Sequence, residues 1–423
     1  MITSPFSRKK RLLIVTLNFP YPLNNGGAIA QQFFIDGLLN KFDIYIATSV
    51  RDPQIIEEFN RHYPAIVVKN LFDSSQETKP GLLFTLKLAL SRALKKLRGS
   101  SNVLREDHLE SEYIKNLLIL KSERFITLLD MVIRQENIEI VQLEFFETLD
   151  LVLSIPKEVA TLFVAHELRA KRVQIAAEFS STSKAYQNYL LNLTQLYEYS
   201  LLRRCAGVVV FNDDDKQLLS THDIKSFLSP YGIPPTLHKR KSPSTSFKRL
   251  LFLGGESHFP NKEGLTWFLD NIYLQAEMPP SMPLVIIGEW SPEYKLKYSK
   301  YNYIRFLGQQ LTIYNHFNES ILVAPILSGS GLRTKILDAF VNYMPVFCTP
   351  FASEGIDFEP NSGICLYTFT SKPDFQALLL NDDGNLTEVA KRAKQFYDTH
   401  FDADKLVEKR LEVYQSLRAR HTI

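Results

Sequence analysis

The sequence predicts an α/β protein made of two doubly wound parallel-sheet domains, and three observations predict it. Short apolar runs rich in β-branched and aromatic residues recur between segments of helical pattern. Within each run the apolar character is continuous instead of alternating, as in strands covered on both faces by helices. The series is interrupted at SPYGIPPTLHKRKSPSTSFKR (residues 229–249), a stretch rich in proline, serine and basic residues that reads as a linker.

In chain order the first half gives RLLIVTL, FDIYIATSV, AIVVKN, IEIVQLE, ATLFVAH and AGVVVFN as strands. The second half gives RLLFLGG, LVIIG, YIRFLG, ILVAP and MPVFCTP, too many in total for one sheet. The first domain is expected over 1–235, with an amphipathic insertion at about 78–105, and the second over 236–395. A charged segment of helical pattern runs from about Leu386 to Arg418, and its last part, 396–423, is expected as a helix packing back on the first domain. The opening MITSPFSRKKRLLIVTLNFPYP places a basic cluster before an apolar run. That run is short and meets Asn18, Phe19 and Pro20, so it is expected as a buried strand and not as a leader.

Composition excludes several classes. At 423 residues, 45% apolar and 22% charged, the chain can bury large cores without staples. Cys205, Cys348 and Cys365 have no CxxC or Cys/His spacing, so neither disulfides nor a zinc site are expected, and a reducing compartment follows. No run approaches a transmembrane span. A net charge of +3 makes any basic surface local. The aromatic residues show no RNA-binding order beside basic ones, so no nucleic-acid partner is expected.

The insertion GLLFTLKLALSRALKKLRG (81–99) gathers Lys87, Arg92, Lys95, Lys96 and Arg98 on one half of a helix and Leu83, Leu86, Leu90, Leu94 and Leu97 on the other. Such a helix either lies on an anionic membrane surface or packs on its own domain with a solvated basic face.

The stretch ILVAPILSGSGLRTKILDAF (321–340) carries the chemistry. An apolar strand leads through a glycine loop into a helix whose first turn bears Arg333 and Lys335. Cations there oppose the helix dipole, which favours anions at that end, so the pattern is that of a helix recruiting an anion. Asp338, three residues after Lys335, lies near the same face and can accept hydrogen bonds from a diol. The other reading is a surface helix with an ion pair. The P-loop, dinucleotide and kinase glycine patterns do not fit the spacing. Asp213, Asp214 and Asp215 read as a helix start in preference to a metal site. Glu144 ends one strand and serves either an acceptor or a helix start. His166 ends another, where open α/β sheets bind ligands, or is satisfied locally by Glu167 or a backbone carbonyl.

The run ILVAPILSGSGLRTKILDAFVNYMPVFCTPFASEGID is similar to the donor segment of retaining glycosyltransferases of family 4, in Pro325, Gly329 to Gly331, Asp338 with Ala339, Pro345 with Val346, and Glu354 with Gly355. PYPLNNGG (20–27), LFVAHELRAKR (162–172) and LFLGGESHFPNKEGLTWFL, with Pro260 and Asn261, resemble other segments of that family. The resemblance implies a GT-B fold, two Rossmann-like domains facing across a cleft. It also implies transfer of a sugar, with retention, from a nucleotide diphosphate donor, UDP- or GDP-linked, to a glycan or lipid-linked acceptor in surface polysaccharide or lipopolysaccharide synthesis. No cofactor or metal is expected, and the location implied is cytoplasmic, on the inner face of the membrane if 81–99 binds there. His166, Arg333 and Lys335 are the expected catalytic residues. Gly26, Gly27, Asn261, Gly329, Ser330, Gly331, Leu332, Thr334, Asp338 and Glu354 are the expected donor contacts. The family's pair of glutamates falls on Ser330 and Asp338, so the sugar contact of the first passes to hydroxyl and backbone or is lost. The basic residues of the family's first C-domain loop have no clear match in Glu256, His258 and Lys262, and the diphosphate is therefore assigned to Arg333 and Lys335. A nucleotide-sugar epimerase of the same fold and a silent nucleotide-sugar-binding subunit are the alternatives.

Overall fold

The computed structural model describes residues 8–72, 117–178, 180, 182–275, 282–310, 312–329, 331–354, 356 and 365–417. The amphipathic insertion 81–99, Ser330 and Gly355 lie outside them. Two parallel sheets form, the GT-B architecture expected. The first has seven strands in the order β3-β2-β1-β4-β5-β6-β7: β1 Lys10–Val15, β2 Phe42–Thr48, β3 Val67–Asn70, β4 Ile140–Glu144, β5 Ala160–Val164, β6 Gly207–Val210 and β7 Ser226–Leu228. The second has six in the order β10-β9-β8-β11-β12-β13: β8 Arg249–Leu253, β9 Leu284–Ile287, β10 Ile304–Gly308, β11 Ser320–Ala324, β12 Val346–Cys348 and β13 Tyr367–Thr368.

Central strands are buried along their whole length, as the continuous apolar runs require: β4, β5, β6 and β11 have no exposed residue. The edge strands β7 and β13 escape a reading by apolar runs because they are only three and two residues long. β13 (Tyr-Thr) is not an apolar run at all.

The helices that position the cleft are α1 Gly26–Leu38, α2 Pro53–His62, α3 Glu123–Gln135, α4 Arg169–Glu178, α5 Lys184–Leu202, α6 Asp213–Ser220, α7 Phe259–Trp267, α8 Pro292–Tyr298 and α9 Thr334–Val341. They are followed by α10 Pro350–Ser353, α11 Lys372–Leu379, α12 Asp383–His400 and α13 Ala403–Ser416. The helical segment expected from Leu386 onward is thus two helices. The break falls at Phe401 and Asp402, where the Asp402 carboxylate accepts the Lys405 amide at 3.0 Å and starts α13. α12 packs against α9 of the second sheet's half, whereas α13 packs against α1 of the first.

One apolar cluster consequently runs across both halves. It joins Ile29 and Phe33 of α1, Tyr231 and Ile233 of the crossover, Phe340 of α9, Tyr397 of α12 and Tyr414 of α13. At roughly 1.5–3 kcal/mol for each fully buried large side chain, this crossover is an adhesive joint between the halves. Among the described residues, no helix is long and apolar enough to cross a membrane.

Candidate active site

Each sheet reverses its strand order beside its first strand, between β1 and β4 and between β8 and β11. Ligands bind open α/β sheets in the crevice beyond the carboxyl ends of the strands at such points. Here the two crevices meet. The amino end of α1, capped by Asn25 accepting from the Ala28 amide at 2.9 Å, abuts the amino end of α9. A Cβ on Gly26 would come within 2.7 Å of Thr334 Oγ1, so the approach requires glycine. Two positive helix ends converge on one space.

On the second-domain side, β11 leads to Gly329 and Gly331, whose φ angles of 116° and 81° are in the left-handed range. Gly331 is fixed twice over, because a Cβ there would also stand 2.5 Å from the His166 carbonyl oxygen of the other domain. The loop ends at Arg333, which occupies the cap position of α9 but supplies no side-chain cap. The residue is 9% exposed, and its guanidinium donates from Nη1 to the Gly331 carbonyl at 2.7 Å and lies 5.0 Å from the Phe351 ring centroid. Among the described residues its buried Nε has no hydrogen-bond partner. Lys335 Nζ donates to the Leu253 carbonyl at 2.8 Å and to Asn261 Oδ1 at 2.9 Å. Burial, with the Arg333 charge adding to it, pushes the Lys335 ammonium down to about 8. Among the described residues, neither cation forms an ion pair: Glu354 and Asp215 attract Arg333 only from a distance.

Asp338 sits one turn deeper and is 3% exposed. Its Oδ2 accepts the Tyr314 hydroxyl at 3.3 Å and its Oδ1 the Asn342 amide at 3.0 Å, and burial raises its carboxyl to about 7. Its hydrogen bonds therefore differ from those of Lys335, although three residues separate the two. Asn342 Oδ1 in turn accepts the Lys239 amide at 2.8 Å, tying the end of α9 to the linker.

On the first-domain side, His166 follows β5 and its partner is Glu144 at the end of β4, with Nε2 to Oε2 at 2.6 Å. Glu167, the local partner of the alternative reading, pairs with Arg172 instead. The His166 ring stacks on Phe145 at 3.8 Å and meets Phe211 edge-on at 5.4 Å, leaving the side chain 11% exposed. Phe145 is held at a φ of 67°, uncommon for an aromatic residue, and a Cβ on Gly27 would reach its ring at 2.7 Å. Asn212, and not the aspartates after it, caps α6, accepting the Asp215 amide at 2.8 Å; Asp215 is bridged to Lys171 at 2.7 Å.

The remaining expected donor contacts spread along the same seam. Thr334 Oγ1 lies 2.6 Å from the Tyr231 hydroxyl, a bond across the two halves that sequence reading missed. Asn261 serves Lys335, Leu332 packs on the apolar cluster, and Glu354 is exposed beyond α10. Glu256 and Lys262 pair with each other at 2.8 Å. The pairing of Glu144 with His166 follows from the strand register. In the β4–β5 register Glu144 stands opposite Val164, and His166, two residues on, shares its face.

Residues 247–375 match the family model of glycosyl transferases group 1. An uncharacterised 44.6 kDa protein of the cps region of Klebsiella pneumoniae is 29% identical over 172 residues, 37% of this chain and 43% of that protein. The chain thus spans less than half the length of that relative. Among solved structures, Anabaena Alr3699/HepE in complex with UDP and glucose superposes with a TM-score of 0.61 at 11% identity, covering 97% of this chain and 100% of that one. WaaG, a glycosyltransferase involved in lipopolysaccharide biosynthesis, gives a TM-score of 0.59 at 10% identity over 95% and 99%. At these identities the structures show a shared GT-B fold. The fold and the group 1 match together support a glycosyltransferase.

Proposed function

We propose that this chain transfers a sugar, with retention, from a nucleotide diphosphate sugar to a glycan or lipid-linked acceptor in surface polysaccharide synthesis. The observation that carries the proposal is the pair of cations, buried Arg333 and half-buried Lys335, without ion-pair partners among the described residues at a point where two helix amino ends meet. Charges withdrawn from solvent are ordinarily paired, so two cations with no counter-charge among the described residues are a preformed receptor for a polyanion of diphosphate size. Charge grows on the departing diphosphate as the glycosidic bond breaks. Fixed cations and amides aimed there stabilise the transition state more than the ground state.

In this reading Asn261 orients Lys335, and Asp338 reaches a ribose diol by exchanging its 3.3 Å bond to Tyr314. An open hollow of about 450 Å³ beyond β8 and β9, lined in part by Glu289 and Trp290, offers room for the nucleoside. His166 contacts the donor sugar from the opposite wall. The departing phosphate oxygen takes the acceptor hydroxyl's proton on the same face of the sugar, and closure of the cleft keeps water from competing. The segment 81–99 would bring the enzyme to an anionic membrane surface carrying the acceptor.

The test is release of UDP or GDP from their glucose conjugates, with and without a membrane fraction as acceptor. Turnover in the native chain, lost in the Arg333→Ala, Lys335→Ala double variant, supports the reading. Tight nucleotide binding with no turnover in any acceptor would replace it with a nucleotide-sugar-binding subunit.

A further inference from the structure

The His166–Glu144 pair is the visible end of a longer buried chain. Gln142, two residues before Glu144 on the same strand face, donates from Nε2 to Glu144 Oε1 at 2.5 Å. The Gln142 amide oxygen accepts the hydroxyl of Tyr414, which belongs to α13. Tyr414 lies beside the Arg410 guanidinium, one turn earlier on the same helix, and each feels the other's field. Arg410 is fully buried. It donates from Nε to Ser229 Oγ at 2.8 Å and from Nη2 to the Ser229 carbonyl at 3.2 Å, and it covers the Phe34 ring at 3.7 Å. Gln142, Glu144 and Tyr414 are each 2% exposed, so solvent does not compete for these bonds.

The direction of every bond follows from the first. A guanidinium has no acceptor, so the Tyr414 proton turns away from Arg410 and to Gln142. A hydroxyl proton needs an acceptor, so the Gln142 amide presents its oxygen to Tyr414 and its NH₂ group to Glu144. Glu144 then accepts at Oε1, and as a carboxylate it accepts at Oε2 also. The donor there is His166 Nε2. In the neutral imidazole Nδ1 then remains as the acceptor nitrogen.

We propose that Glu144 is a positioning residue, set by Gln142, Tyr414 and Arg410 of the returning C-terminal helix, that fixes His166 as its Nε2–H form with Nδ1 available to a sugar hydroxyl. The role of the sugar hydroxyl rests on the function proposed above; the proton position does not. On this account α13 is part of the site, although none of its residues touches the cleft. The chain links the packing of the C-terminal helix on the first domain to the state of the imidazole.

The experiment uses the full chain labelled with ¹⁵N-histidine, with the imidazole shifts of His166 assigned by His166→Asn. The expected result is the Nε2–H form in the native chain. Tyr414→Phe, which keeps the ring packing and frees the Gln142 amide to turn, is expected to give a mixture of both forms. If transfer is measurable, Tyr414→Phe lowers kcat about tenfold, the size of one net hydrogen bond, with nucleotide affinity unchanged. Glu144→Gln lowers kcat by about 100-fold. An Nδ1–H form in the native chain would overturn the proposal, as would an unchanged tautomer in a folded Tyr414→Phe. Absence of any transfer or donor hydrolysis in the native chain would count against the proposed function alone, because the imidazole spectra still decide the proton position.

Discussion

Arg333 and Arg410 are both buried arginines, yet their surroundings are opposite. Arg410 is well held: two bonds to Ser229, the Phe34 ring beneath it, and Tyr414 and the charge of Glu144 within reach. Among the described residues Arg333 has one carbonyl of its own loop, a ring at 5.0 Å and an Nε with no partner, and beside it stands Lys335 with the same sign of charge. A buried arginine that is fully paired specifies structure. One left in need of a counter-charge next to a second cation specifies a ligand, because the folded chain has accepted a desolvation cost that only an anion offsets.

The largest effect should separate the two in binding. Loss of both Arg333 and Lys335 removes charge-assisted contacts of about 1.5–3 kcal/mol each, so a nucleoside diphosphate should bind about 10²–10⁴-fold more weakly. Calorimetry reads this directly, and loss of less than tenfold would erase the contrast. Next comes stability, where the two arginines should differ in sign. Arg410→Ala strands the buried Glu144 side of the network and should cost about 3–5 kcal/mol in urea unfolding. Arg333→Met removes a desolvated charge that has no ion-pair partner among the described residues and should leave the free protein as stable as before or more so. Equal destabilisation by both would mean that Arg333 is structural too.

Gly331→Ala should cost about 1–2 kcal/mol for its left-handed backbone, with the Cβ pressing on the His166 carbonyl in addition. It should lower turnover more than nucleotide affinity, since it separates the walls without removing a cation; a steady-state comparison of kcat and KM checks this. The smallest effect is a pH dependence. Lys335 is lowered to about 8 in the fold from 10.5 in the unfolded chain, so between these values the unfolded chain binds more protons and the free protein gains stability as pH rises. Anion affinity should fall over the same window as the ammonium loses its charge. Titration at pH 8.5 in buffers of different ionisation enthalpy should show proton uptake on binding, and no uptake would place the ammonium's pKa elsewhere.

How much of this was readable depends on sequence distance. The sheets were legible because buried parallel strands are continuous apolar runs, and only β7 and β13 were too short to register. Arg333 and Lys335 were legible because their charge contradicts the dipole of the helix that carries them, a contradiction contained within a few residues. His166 and Glu144 were each legible as strand ends, but not as a pair, since their meeting depends on β4 and β5 being neighbours in register. Arg410 and Tyr414 were less readable still. They lie in a charged C-terminal helix whose buried face is defined only once it has crossed back to α1, more than 200 residues away in sequence. Asp338 was read by its spacing from Lys335. Its hydrogen bonds to Tyr314 and Asn342 depend instead on the short 3₁₀ turn before β11 and on the end of its own helix.

The measurement that tests the central claim most directly is calorimetric titration of the native chain with UDP, GDP, ADP and CMP, repeated on Arg333→Ala with Lys335→Ala. Saturable binding of one nucleoside diphosphate, lost in the double variant while the variant's thermal midpoint holds or rises, is the predicted result. Binding that is equally tight in the variant, or a variant that loses both binding and stability, would contradict the claim that these two cations are held in reserve for an anion.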